Sequence, residues 1–538
     1  MTDNPTAESD ALADFSEAVA RHAQGEFAWP EQVYRRILIR NPGHVGALHY
    51  LGVLALQHDR YETAVELIER SLALDPGDTV ARFNLGIALG AAGRHAEALD
   101  AFHLVVAANP GHAAAWRAIG GIHYNLHLLD EALDCFRRAV AIDPEFADAQ
   151  LDIAHVLLRR GEIKEGLRQY QWRWRTAFLR EHIRSFSQPE WDGSRLDGRT
   201  ILVLAEQGYG DTLMFARYVP IVRALGGRIV IEVQRGLADL MEGLPGVSAV
   251  VADGDPLPPF DVHASMGELA RILATDDDTI PAERQYLWAD PWRVREWGRK
   301  LQCREPFSVG LVWAGEPGFV TDKDRSPRLG PLLPLLDVPG VRFFILQMGD
   351  GRRDLDGITL PSNVTDLGPN IQDFSDTAAI MANLDVVISS CTGPAHLAAA
   401  LGRPVWLLLS FSPDWRWMLG RDDSPWYPSM RLFRQPRPGD WASVTAAAAC
   451  ALAAFNPEPK STPKRLDARY REAHAHRTAG RMLEAELGYR RLLADAPDHA
   501  LALHELGLVL ATLGRSASAL AWIDRARVLD PALPRPPS

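Results

Sequence analysis

The chain has 538 residues, 47% hydrophobic and 23% charged, with 57 Lys+Arg against 69 Asp+Glu and a formal charge of −12. That length exceeds one ordinary domain, and the apolar content excludes a mostly disordered chain. An acidic balance repels nucleic acid and anionic lipid at long range, so neither is the expected partner and any anion must be held by a local site. The four cysteines, Cys135, Cys303, Cys391 and Cys450, lie far apart without metal-ligand spacing and read as reduced thiols. The first residues, MTDNPTAESDALADF, lack the basic and apolar regions of a signal peptide, and no apolar run approaches the ~18 residues of a transmembrane helix. The expectation is a cytoplasmic protein without a transmembrane segment.

From the N-terminus the chain repeats. Pro42, Pro76, Pro110 and Pro144 are each 34 residues apart, in NPGH, DPGD, NPGH and DPEF. Leu51-Gly52, Leu85-Gly86 and Ile119-Gly120 keep the step, as do Ala64, Ala98 and Ala132, and large side chains recur at Tyr34, Ile68, Phe102, Phe136 and Tyr170. Small residues let two helices approach closely and proline ends the second of each pair, so the pattern resembles tetratricopeptide repeats (TPR) over 1–165. His123 and His127 stand at helical spacing inside this array, where packing rather than metal binding is expected. The segment 159–184 has eight basic and three acidic residues with Trp172 and Trp174. It reads as the closing helix of the array, its arginine stems covering apolar surface, within a connecting helix and linker over 166–197.

The middle of the chain changes texture. TILVLAEQG, RIVIEVQ, SAVVADG, FSVGLVWAG, VRFFILQ, DVVISS and PVWLLLS are short apolar runs bounded by Gly, Pro and Asp. Amphipathic stretches between them indicate two Rossmann-like α/β domains of buried parallel strands, 198–290 and 305–455, joined by a linker helix at 291–304. Ligands of such sheets bind beyond the carboxyl ends of the strands. A second short TPR segment follows at 464–535, with Pro497 and Pro531 again 34 apart. The expected fold class is a helical solenoid followed by two α/β domains and a short helical tail.

Three turns carry the candidate chemistry. After the first strand, Gly208-Tyr-Gly210-Asp211 opens a helix, where Asp211 either caps the helix or faces the cleft. The dinucleotide fingerprint is incomplete because Leu213 occupies the third glycine position. After FSVGLVWAG, which ends at Gly315, a loop holds Lys323, Asp324, Arg325 and Ser326, two cations suited to a diphosphate or to solvent. After DVVISS come Cys391-Thr392-Gly393-Pro394-Ala395-His396, with Thr392 placed to cap a helix, Gly393 leaving room beside the backbone and His396 one turn in. Asp253/Asp255 and Asp322/Asp324 match the carboxylate pairs of metal-dependent sugar transferases, beside Asp276–Asp278, but an acidic chain offers many such matches.

AEQGYGDTLMFARY, GLVWAG with the later KDRS, SSCTGPAHLAAALGRPVW and FSPDWRWMLGRDDSPWYP resemble the heptosyltransferase-like GT-B glycosyltransferases of family 9, in particular their TPR-fused bacterial relatives. The resemblance covers roughly 165–455. It implies an inverting enzyme that moves a sugar from a nucleotide-sugar substrate without a metal or other cofactor. Asp211 would be the base, and Thr392, Gly393 and His396, with Gly315, Lys323 and Arg325, would hold the donor. Gln207, Gln347, Cys391 and Trp415 are carried as further donor or acceptor contacts. Some such relatives glycosylate proteins, flagellin among them, so the acceptor expected on the TPR array is a protein Ser/Thr hydroxyl. One residue departs from the family: Cys391 stands where Asp precedes Thr-Gly, and a thiol cannot accept a carboxylate's pair of hydrogen bonds. A cysteine at a helix N-terminus can instead carry a lowered pKa. Two alternatives stand beside this reading: a non-catalytic TPR adaptor with a degenerate core, and an enzyme acting on a lipid-linked saccharide.

Overall fold

The 34-residue step becomes a stack of helix pairs because each landmark has a steric or hydrogen-bonding job. The computed structural model describes residues 5–301, 307–319, 322–457 and 461–534; Cys303, the 304/305 domain boundary and residue 535 lie outside them. The chain divides into two compact units, Met1–Arg160 with Arg168–Ile183, and Gly161–Leu167 with Arg184–Ser538.

In the first unit, helices Val45–Gln57, Thr79–Ala91, Ala113–Asn125 and Ala147–Arg159 start 34 residues apart, and so do their partners Tyr61–Leu74, His95–Ala108 and Leu129–Ile142. Helices Pro5–Ala23 and Ala28–Arg40 precede them. The residue closing each NPGH or DPGD motif caps the next helix: His44, Asp78 and His112 accept from the amides of Ala47, Ala81 and Ala115 at 3.0, 2.9 and 3.1 Å. Within a pair the glycine of the first helix admits the large side chain of the second. A Cβ built on Gly52, Gly86 or Gly120 would stand 2.6 Å from Ile68, Phe102 or Phe136. Successive first helices are tied by polar pairs 35 residues apart, His49–Asn84 at 2.8 Å and Arg117–Asp152 at 2.6 Å. The Arg159 guanidinium lies 3.6 Å from the Tyr124 ring centroid in the same relation.

The basic segment is not one amphipathic helix. It breaks into Ile163–Gln169, a 3-10 turn Tyr170–Arg175 and Ala177–Arg180. Arg173 is buried and stacked between Tyr170 and Trp174, and Arg175 pairs with Glu145 at 2.7 Å. The histidine pair is broken too, because His127 sits in the inter-helix turn with φ of 65°.

The second unit holds two all-parallel sheets. The first comprises β1 (Thr200–Leu204), β2 (Arg228–Val233), β3 (Val247–Ala252) and β4 (Val262–Ser265) in the order β3-β2-β1-β4. The second comprises β5 (Phe307–Val312), β6 (Val341–Ile345), β7 (Val364–Asp366), β8 (Val386–Ser390), β9 (Val405–Leu409) and β10 (Met430–Arg434) in the order β10-β9-β8-β5-β6-β7. The apolar runs of the sequence form β1–β3, β5, β6, β8 and β9. The strands it did not signal, β4, β7 and β10, all lie at sheet edges, where short or polar-alternating stretches are tolerated. Val309, Leu311, Phe343, Ile388 and Leu408 form one face of the second sheet's core against Leu332, Leu336 and Val444.

Helix Pro291–Leu301 docks on the second sheet's domain, where Arg293 contacts Asp373 and Asp376 at 3.1 and 3.0 Å and Trp297 Nε1 donates to Asp376. The C-terminal helices, Pro463–Thr478, Met482–Asp495, Ala500–Thr512 and Ser516–Leu529, rest on the first domain through a buried triad. Glu486 is fully buried between Arg490 at 2.9 Å and Arg515 at 3.0 Å, and both arginines donate onward to the Glu242 carbonyl. Arg525 pairs with Asp290 at 2.6 Å, beside the start of the linker helix.

The glycine contacts give a paired test. At Gly86 an added methyl overpacks the Phe102 ring, at a cost of about 1–3 kcal/mol that outweighs the gain of about 1 kcal/mol in helix propensity. At Gly121, where an added Cβ meets nothing within 4 Å, only the propensity gain remains. Thermal unfolding followed by circular dichroism is therefore expected to show Gly86→Ala below the wild type and Gly121→Ala at or above it.

Candidate active site

The candidate residues come together where the carboxyl ends of the two sheets face each other. β1 ends in a turn whose strained residue is Gln207, at φ 59°, rather than Gly208 or Gly210. Gln207 is exposed, and its carbonyl accepts from Gln234 Nε2 at 3.1 Å. Helix Tyr209–Phe215 follows, and beyond β8 comes helix Gly393–Ala400. The two helices touch through their first turns. A Cβ on Gly210 would lie 2.9 Å from the His396 ring, and one on Gly393 would lie 3.6 Å from Tyr209 Cβ. Gly210 is thus small because His396 is there.

Asp211 fills both roles left open by its position. Its Oδ2 accepts the Gly208 amide at 3.1 Å, capping the helix, while Oδ1 pairs with Arg416 from the loop after β9. Arg416 is absent from the candidates the sequence supplies, although an arginine between two tryptophans in FSPDWRW is a signal. It is 8% exposed, holds Asp414 with Nη1 at 2.9 Å, directs Nε at Met214 Sδ and stacks on Trp415. Trp415 is itself buried and edge-on to Trp426, so it supports Arg416 and does not present its ring to a ligand.

The loop after β5 joins the group. A Cβ on Gly315 would meet Asp322 Oδ1 at 2.6 Å, Arg325 Nη2 at 2.7 Å and Thr392 Cγ2 at 3.1 Å, so only glycine lets these residues meet. Asp322 is buried, accepts from Ser326 Oγ at 2.8 Å and pairs with Arg325 at 3.3 Å; Asp255 pairs with Arg235 at 2.7 Å. One carboxylate of each suspected metal motif, Asp322 and Asp255, is therefore engaged by an arginine. Lys323 is exposed on the same turn.

Four expectations need correction. Thr392 stands at the N-cap, but its hydroxyl lies 3.5 Å from the Ser390 carbonyl and makes no bond to the helix amides. Gln347 is an internal bracket: its Oε1 accepts the amides of Trp313 and Ala314, both at 2.9 Å, and its Nε2 donates to the Ala314 and Met348 carbonyls. Cys391 accepts from Trp417 Nε1 at 3.0 Å, and burial pushes its thiol up to about 11, the opposite of an activated nucleophile. His396 is buried with Nδ1 2.8 Å from the Tyr427 hydroxyl, and burial, reinforced by Arg416, lowers its pKa to about 3. A neutral imidazole brings no charge to a diphosphate. It holds the two helix starts together through Gly210, Tyr427 and Trp417. Tyr427 in turn lies against the buried Arg217, whose Nε donates to Met214 and Nη1 to Trp426.

The chemistry available is one carboxylate held by a buried guanidinium, a second guanidinium at Arg325, and glycine-opened turns at 315 and 393. His396 also yields a pH dependence. Its folded pKa lies below the ordinary value of 6.5, so the unfolded chain takes the proton first and stability falls as pH drops from about 6.5 towards 3. His396→Gln, which can still bond Tyr427 but does not titrate, is expected to lose less denaturant resistance than the wild type between pH 7 and pH 5.

Comparison with known proteins covers the helical parts most directly. The tetratricopeptide repeat model matches residues 9–79, 83–147 and 446–534. The chain is 30% identical over 337 residues to Protein FlbA of Caulobacter vibrioides (strain ATCC 19089 / CIP 103742 / CB 15), 58% of this chain and 56% of that protein, and so spans about half the length of this curated relative. Among solved structures, MamA is 20% identical with a TM-score of 0.28, covering 31% of this chain and 97% of that one. TTC0263, a thermophilic TPR protein of Thermus thermophilus, is 21% identical with a TM-score of 0.29, covering 32% of this chain and 96% of its own. The chain is a multidomain protein that carries tetratricopeptide repeats beside two parallel α/β sheets.

Proposed function

We propose that the chain is an inverting GT-B glycosyltransferase that moves a sugar, without a metal, from a nucleotide sugar to a Ser/Thr hydroxyl of a protein gripped by its tetratricopeptide repeats. The observation that carries this reading is the meeting of Asp211, Arg416, Arg325 and the turns at 315 and 391–393 at the carboxyl ends of two parallel sheets. In the reaction Asp211 takes the hydroxyl proton as the acceptor oxygen bonds the anomeric carbon. The bond from that carbon to the donor phosphate breaks on the opposite face, and its electron pair leaves with the nucleoside diphosphate. Arg325, Lys323 and the amides at the start of helix Gly393–Ala400 balance the departing charge. Arg416 pairs with Asp211 and Asp414 in the structure. An arriving diphosphate competes for that guanidinium and leaves Asp211 the stronger base. Flagellin is an acceptor of the class the core's resemblance suggests.

The adaptor reading retains one observation in its favour, since Cys391 replaces a carboxylate and is spent on Trp417. The lipid-linked reading has less, because Arg173 and Arg175 of its basic segment are committed within the first unit.

Asp211→Asn separates these readings. The amide keeps the Gly208 cap geometry and leaves Arg416 its bonds to Asp414. Transfer to acceptor protein, read by intact mass, is expected to fall at least a hundredfold while melting temperature stays near wild type and nucleotide affinity is kept or rises, because the amide competes less for Arg416. Activity within a few-fold of wild type would confine Asp211 to capping.

A further inference from the structure

Three of the four sheet edges in the second unit are blunted, and the fourth is not. Edge strand β4 is covered by the segment at 189–191: the Trp191 amide donates to the His263 carbonyl at 2.8 Å and the His263 amide to the Pro189 carbonyl at 3.2 Å. β10 is covered at 422–423, where the Asp422 carbonyl accepts the Leu432 amide at 2.7 Å. β7 is only three residues long. β3, by contrast, runs Val-Ser-Ala-Val-Val-Ala without a charge or a proline, which is the composition of an interior strand placed at the rim of a sheet.

The outer side of β3 leaves peptide groups unused. The Asp253 amide donates to the Val233 carbonyl at 2.8 Å. By strand alternation Ala249 and Val251 therefore turn their peptide groups to β2, and Val250 and Ala252 turn theirs outward. Among the described residues the Val250 amide and carbonyl and the Ala252 amide have no hydrogen-bond partner. The Ala252 carbonyl accepts from Asp255 at 2.9 Å and keeps a second lone pair. A bulge at Ser248, whose hydroxyl accepts the Ile229 amide at 3.3 Å, ends the regular edge on its amino side. Ala249 is exposed, and Val250 and Val251 are half-buried.

We propose that β3 pairs antiparallel with β3 of a second copy of the chain, joining two four-stranded sheets into one of eight strands. The strand matches itself. About a twofold at Val251, Val250 of each copy faces Ala252 of the other, and their outward amides and carbonyls exchange hydrogen bonds. The ends match as well. Arg228 stands exposed beside the amino end of β3 and Asp253 stands exposed at its carboxyl end, neither with an ion-pair partner among the described residues. Antiparallel pairing sets Asp253 of each copy diagonally across from Arg228 of the other, whereas parallel pairing would align like charges. One short edge buries little area, so the pair is expected to form and part with concentration. A foreign extended segment added to the same edge is the rival occupant.

The test uses the full chain without nucleotide, so its outcome is separate from that of sugar transfer. Sedimentation equilibrium is expected to show an average mass rising towards two chains with concentration. Under mild oxidation Val251→Cys is expected to give at least five times more covalent dimer than Ala249→Cys, because only residue 251 meets its own copy at the twofold. Ala249 is the more exposed of the two, so random collision would give the opposite order. The wild type, with Cys450 exposed, sets the background. Arg228→Glu is expected to lower the dimer fraction at least fivefold and added Asp253→Arg to restore it, both at exposed side chains that leave the melting temperature unchanged. A chain that stays monomeric at every concentration, as a foreign occupant would require, would overturn the proposal. So would equal crosslinking at 249 and 251, or charge reversal without effect on the dimer.

Discussion

The guanidinium of Arg416 is the contact on which the arrangement of the candidate site depends. It comes from the loop after the central strands of one sheet and pairs with a carboxylate at the end of the other. Burying such a charge costs several kcal/mol unless every donor is used. Here the donors are distributed over Asp211, Asp414 and Met214, with the Trp415 ring below. Arg416 stays paired with Asp414 when Asp211 is neutralised, so the costly change is loss of the guanidinium, which leaves both carboxylates without their partner. That cost is why the two helix starts are held at one spacing, with Gly210 reduced to a hydrogen to admit His396. The same group that fixes the geometry also occupies the carboxylate, so in the proposed reaction structure and readiness for proton transfer are coupled through one ion pair.

The two helical arrays share a step but use it differently. In the C-terminal segment the polar groups turn to the α/β domain: Glu486, Arg490 and Arg515 form a buried triad on the Glu242 carbonyl, and Arg525 reaches Asp290. That segment is a brace spanning the first α/β domain and the root of the linker helix. In the N-terminal array the interrepeat polar pairs are internal, His49–Asn84 and Arg117–Asp152, and apolar residues such as Val80 and Ile87 stay exposed. A surface that satisfies its own charges and leaves apolar side chains in water is suited to receiving a partner.

Much of this was legible in the sequence because it rests on local rules. The 34-residue step, the capping residue after each Pro-Gly and the glycine opposite a large side chain each report a contact made within one or two repeats. Buried strands also announce themselves, since both faces are apolar. The edge strands β4, β7 and β10 did not, because they are short and their side chains follow no strong period. The site was half legible. Glycine-bounded strand ends pointed to Asp211, Gly315, Arg325 and Gly393, which lie on the turns that follow β1, β5 and β8. What they could not give was which polar groups are consumed internally: Gln347 is spent on two backbone amides, His396 on Tyr427 and Cys391 on Trp417. Nor could they reveal that Arg416, more than 200 residues from Asp211, closes the pair, because no short-range pattern encodes a contact between sheets.

Calorimetric titration of the full chain with a panel of nucleoside diphosphates, in the presence of a chelator and at two salt concentrations, tests the central claim most directly. The account predicts that at least one nucleotide binds without a divalent metal, that rising salt weakens it, and that Arg325→Ala reduces affinity by about tenfold or more, the loss of one charge-assisted hydrogen bond. It further predicts that Arg416→Lys weakens the same nucleotide, since a point charge cannot serve two carboxylates and a diphosphate as the forked guanidinium does. Absence of binding by every nucleotide, or binding indifferent to both substitutions, would contradict it and leave the cleft between the sheets a structural junction.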